Sequence, residues 1–141
     1  MSAWPHDLDD VQQWSSGENA AAIGMLGPRV IGLSLAGTVG RKALAVIDPA
    51  LRGLLTKLDD AYIFVDAKDL DGYEGELRDG MIAVLQDHRR DWVSAHVLFE
   101  STMLGMVVST VGLIFGGALV GYRDQAKFTS AIEQALDFEG F

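Results

Sequence analysis

The sequence predicts a single α/β domain with a mainly parallel central sheet and helices packed on it. Three observations carry this expectation. Short β-branched or aromatic runs alternate with stretches of helical period, and a Gly27-Pro28 turn joins two such runs near the start. Residues 92–122, the most apolar stretch, divide into strand, helix and strand. The expected order is β-β-α-β-α-β-α-β-α, one antiparallel hairpin followed by parallel strands.

Residues 1–17 read as an N-terminal arm and residues 18–141 as the domain. The arm is polar apart from Trp4, Val11 and Trp14, and His6-Asp7-Leu8-Asp9-Asp10 reads either as a helix start or as part of a mobile arm. Residues 20–26 and 30–39 form the hairpin. Leu44, Ile47, Leu51, Leu54, Leu55 and Leu58 then keep a helical period, with Asp48-Pro49 placed to start a new helix or to bend one. Residues 61–65 (AYIFV) read as a central buried strand, and the acidic stretch that follows as a loop. Leu77, Met81, Val84, Leu85 and His88 mark one face of the next helix. Phe128, Ile132, Ala135 and Leu136 mark the last.

From Ser101 to Tyr122 no residue is charged, so a single transmembrane helix competes with the strand–helix–strand reading. Five glycines, at 105, 112, 116, 117 and 121, weigh against a spanning helix. A helix buried between two strands is the expectation here, its apolar face otherwise meeting lipid or a second subunit. Glu100-Ser101-Thr102 reads as a break with a capping hydroxyl.

The chain of 141 residues is long enough to bury a core without staples. It has no cysteine, which excludes disulfides and thiolate chemistry, and no stretch resembling a secretory signal. Eleven lysines and arginines stand against 20 acidic residues, a formal charge of -9, so nucleic acid is not an expected partner.

The three histidines are scattered. His6 falls in the arm, His88 ends a helix where the dipole favours an imidazolium, and His96 lies mid-strand, hydrogen-bonded or facing an edge. No H-x-x-x-H or H-E-x-x-H spacing occurs, and Asp69-x-Asp71-Gly72 lacks the downstream glutamate of a calcium loop. Neither metal nor cofactor is expected. G-x-S-x-G, G-x-G-x-x-G and P-loop patterns are absent, so no residue pattern demands an enzyme. The acidic stretch 66–74 follows a central strand, where ligands of open α/β sheets gather. Its bland reading is a solvated loop with Asp71 or Glu74 capping the next helix.

Several features occur in a consistent order. Asp66 ends the third expected strand and is followed by D-x-D-G-Y (69–73). A strand–serine–helix segment at Ser101 comes next, and Tyr122-Arg123-Asp124 leads into a helix carrying Phe128. Across roughly residues 20–138 this resembles the STAS superfamily, and within it the SpoIIAA-like bacterial proteins related to anti-sigma-factor antagonists. The resemblance implies a STAS/SpoIIAA-like domain acting as a non-enzymatic regulatory or scaffold module that binds a protein partner. The antagonists carry a phosphorylatable serine at the start of the helix after the third strand. Here no serine or threonine occurs from Asp60 through Trp92, so that switch is not carried over. Asp69, Asp71, Gly72, Tyr73 and Glu74 become the partner-binding candidates, a fixed acidic stretch standing in for the phosphorylated state. The branch also implies an alternative: binding of a lipid-like ligand or peripheral membrane association, with Tyr73, Ser101, Met103 and Met106 as ligand-binding candidates. The expected location is the cytoplasm or the membrane periphery, and a homodimer stays open.

Overall fold

In the computed structural model, which describes residues 8–139, strand order in the sheet follows chain order. Six strands run β1 (Asp9–Ser16), β2 (Asn19–Gly27), β3 (Val30–Val39), β4 (Ala61–Tyr73), β5 (Trp92–Leu98) and β6 (Leu119–Tyr122). β1, β2 and β3 pair antiparallel, and β3 to β6 pair parallel. The parallel crossovers are α1 (Arg41–Lys57), α2 (Gly75–Asp87) and α3 (Thr102–Phe115); α4 (Gln125–Glu139) follows β6. Successive crossovers of one hand, feeding strands that advance in one direction, place their helices on one face. α4 turns back over the other.

That division is visible in the two cores. Ile31, Leu33 and Ile63 meet Ile47, Leu51 and Leu55 of α1, joined by Leu77 and Val84 of α2. Across the sheet, Val30, Phe64 and Leu98 meet Phe128, Ile132 and Ala135 of α4. β3 and β4 are therefore covered on both faces, which is why they read as nearly unbroken apolar runs.

Two expectations need correction, and one open alternative is decided. The first strand was not anticipated: Asp9–Ser16 pair with β2, so Asp9 and Asp10 belong to a strand and not to a helix start. Val11 and Trp14 are spaced by three and give no strand alternation. Pairing to one open edge imposes the conformation instead, with Asp10 at φ 54 where the register shifts. Trp4, His6 and Asp7 lie outside the described residues.

The acidic loop is the second. β4 does not stop at Val65 but stays paired to β3 through Asp66, Asp69, Leu70, Gly72 and Tyr73, with two register shifts. β3 continues to Val39, and its backbone groups require partners. The shifts give the polar residues room along the ladder.

The alternative at Asp48-Pro49 is decided for a single helix: α1 runs through Pro49. Asp48 does not act as a cap there but accepts from Arg52 at 2.8 Å, and Arg52 also reaches Asp87 of α2 at 2.8 Å.

Glu74 takes an unexpected role. It precedes α2 without capping it; its Oε1 accepts from Arg41 N of α1 at 2.9 Å, and its own N–H donates to Val39 O at 3.0 Å. The carboxylate thus satisfies an orphan donor at the start of α1, where negative charge is favoured. A Cβ at Gly40 would land on that carboxylate. Gly40→Ala is expected to expel the cap and lower stability by about 1 kcal/mol in urea denaturation, with Glu74→Ala equally costly and the double variant no worse than either.

Candidate functional site

The charge-free segment builds the first candidate site. β5 ends at Leu98, and Ser101 starts α3 by accepting Leu104 N–H on its hydroxyl at 2.9 Å. This is the expected cap. α3 closes at Gly116, whose φ of 63 suits a residue without a side chain. Phe115 near the end is buried against Trp92, their rings meeting edge to face at 5.4 Å. Trp92 is held in turn by its indole N–H donating to Leu85 O at 2.9 Å.

The expected burial of α3 does not hold. Met103 is 57% exposed, Met106 67%, Leu113 85% and Ile114 50%, and within the helix Phe115 is the buried residue. The reason is the layer order. α3 is the last helix on its face and covers the sheet with one side, and among the described residues no further layer lies outside it. Its inner side chains, Leu104, Val107, Val108 and Val111, are half-buried because they roof a cavity of about 130 Å³ between α3, α2 and the sheet. Leu33, Val65, Leu70 and Met81 form much of its floor and wall, and Tyr73 and Arg78 also line it. Arg78 is the charged lining residue among those described.

The sequence-based candidates separate accordingly. Tyr73 lines the cavity, Ser101 caps its roof, and Met103 and Met106 face outward and do not reach it. Asp69 and Asp71 are exposed on β4, Gly72 is half-buried opposite Thr38, and Glu74 is engaged with α1. Leu104, Val107 and Leu70 were not among the ligand-binding candidates read from the sequence. The 3.6-residue spacing 104–107/108–111 is the signal that points to them.

A second polar cluster lies on the α4 face. His96 Nδ1 is 2.8 Å from Tyr122 Oη and Nε2 is 2.9 Å from Ser94 Oγ, so the mid-strand histidine is hydrogen-bonded on both sides. Its ring stacks on Phe64 at 4.5 Å, with 9° between planes. Burial lowers its pKa from 6.5 to about 4, and burial also raises that of Tyr122, so both are neutral near pH 7. His88 pairs with Asp91 at 3.0 Å. Among the described residues no cluster of three or more His, Asp or Glu is arranged to hold a metal, and no helix is long and apolar enough to cross a membrane.

No family model matches the chain, and no curated protein matches it in sequence. Solved structures do. An uncharacterised protein of the DUF3478 family with a SpoIIAA-like fold, from Shewanella loihica PV-4, superposes with a TM-score of 0.66 at 14% identity, covering 83% of this chain and 97% of that one. The anti-sigma factor antagonist SpoIIAA in its unphosphorylated form gives a TM-score of 0.58 at 14% identity, covering 82% and 96%. The chain therefore has the SpoIIAA-like fold over most of its length.

Two outcomes are expected. Because the folded pKa of His96 lies below the unfolded value, the unfolded chain binds more protons between pH 6.5 and about 4, and stability falls as pH drops through that window. NMR titration should place the imidazole midpoint near 4. His96→Phe should lose stability less steeply across the same range; an equally steep loss would count against the assignment. Separately, Ser101→Ala should cost about 1 kcal/mol, with faster amide exchange confined to the first turns of α3.

Proposed function

We propose that the chain is a binding module that takes the apolar chain of a lipid-like ligand in the cavity beneath α3. The observation that carries this reading is a charge-free helix roofing an apolar cavity, anchored at its C-terminal end by Phe115. Each buried methylene contributes about 0.8 kcal/mol, so an eight-carbon chain gains roughly 6 kcal/mol before ordering costs. An apolar cavity of about 150 Å³ holds benzene, so the 130 Å³ present suits only a short chain with α3 seated as it is. Longer chains require the N-terminal half of α3 to lift. Met81 favours such adaptation, and Arg78 offers a guanidinium to an acidic head group. The outward Met103, Met106, Leu113 and Ile114 suit exchange of the ligand at a lipid surface.

A second reading, docking of a protein partner, rests on the exposed Asp69 and Asp71 at the end of β4 and on a fold shared with an anti-sigma factor antagonist. Native mass spectrometry and calorimetry with dodecanoate separate the two. The first reading expects a one-to-one adduct, weakened about tenfold or more by Val107→Trp, which fills the cavity, and less by Arg78→Gln. Failure of the unmodified protein to form any adduct would overturn it and leave the acidic end of β4 as the site to pursue.

A further inference from the structure

On the face opposite the α3 cavity, a cleft of about 290 Å³ opens between α4 and strands β4 to β6. Two alanines of α4, Ala131 and Ala135, leave the space, with Gln134 beside them. Tyr62 and Phe64 provide aromatic wall, and Ser94, His96 and Tyr122 provide the polar end. None of residues 69–74 lines it, so it is separate from both sites already considered.

The polar end has a countable supply of protons. Ser94 and Tyr122 each bring one hydroxyl proton and neutral His96 brings one ring proton, while the two contacts at 2.9 and 2.8 Å use one proton each. One hydroxyl proton is left over in either tautomer. With the proton on Nδ1, His96 donates to Tyr122 and accepts from Ser94, and the Tyr122 hydroxyl is free to donate. With the proton on Nε2 the direction reverses and the Ser94 hydroxyl is free. Both hydroxyls line the cleft, so a donor faces it whichever way the chain runs. An acceptor placed there would take up the hydroxyl proton that the chain leaves over.

Among the described residues no lysine or arginine lines the cleft, and the chain carries a net charge of -9, so an anion is disfavoured. An apolar cavity of about 150 Å³ holds benzene, so this cleft has room for one ring and a small substituent. We propose that it binds a small, neutral, largely aromatic molecule whose single carbonyl oxygen accepts from the Ser94–His96–Tyr122 chain. The ring lies against Tyr62, Ala131 and Ala135, and the carbonyl oxygen faces the hydroxyls. This site does not depend on the lipid-like reading of the α3 cavity.

The test is an amide-resolved NMR titration of the full chain with acetophenone, ethylbenzene and benzoate. Acetophenone should give saturable shifts in residues 94–96, 120–122 and 131–135, with ethylbenzene about tenfold weaker for want of the acceptor and benzoate weaker still. Tyr122→Phe should weaken acetophenone several-fold while leaving ethylbenzene unchanged. Ala131→Leu, which fills the cleft and keeps every hydroxyl, should abolish both. Equal binding of acetophenone and ethylbenzene would overturn the proposed recognition. Absence of saturable shifts at those residues, or shifts confined to α3 and its cavity, would overturn the site itself.

Discussion

The parallel ladder between β3 and β4 is the constraint on which the rest depends. It aligns Ile31 with Ile63 and Leu33 with Val65, placing these side chains beneath α1 and α2, while Val30 and Phe64 turn toward α4. A one-residue slip would exchange the two sets and put each layer of helices against the wrong side chains. The same ladder fixes both cavities, since Leu33 and Val65 line one and Phe64 lines the other. The central strands are thus at once the core and the shared wall of the two cavities.

The two faces are unequally covered, and their chemistry differs for that reason. α1 and α2 cross over the middle of the sheet, tied together by Arg52 between Asp48 and Asp87. α3 is left to cover the β5–β6 end with a single apolar flank and, among the described residues, no helix beyond it. An apolar roof that is neither fully packed nor charged leaves space rather than core, and that space is lined by aliphatic side chains. On the other face α4 is the one helix among the described residues. Its small residues leave a cleft over β5, where side chains of alternate residues bring Ser94 and His96 to one side.

Glu74 shows how far tertiary context redirects a residue whose local role looks settled. An acid just before a helix reads as that helix's cap, yet its carboxylate serves α1 because β4 ends beside the start of that helix. The acidic stretch before it reads as a solvated loop because Asp, Lys and Gly dominate it. It is strand because β3 extends beside it and its backbone groups find partners there. Asp66, at the turn from apolar to polar sequence, is buried with Lys68 as its neighbour at 3.7 Å. Composition misleads where backbone pairing decides.

By itself the sequence determined the alternation of strands and helices, the hairpin at Gly27-Pro28, the serine cap of α3 and the buried stripe of α4. These rest on period and local hydrogen bonding, which neighbours a few residues apart carry. The SpoIIAA-like order was legible for the same reason. Tertiary structure alone decided that β1 exists, that β4 reaches Tyr73, that α3 is half exposed, and that Met103 and Met106 face outward while Leu104 and Val107 face the cavity. It also brought Tyr122 onto His96 across 26 residues of chain. An edge strand, an incompletely covered helix and a contact between distant residues are set by what the rest of the fold places beside them, and no local pattern encodes that.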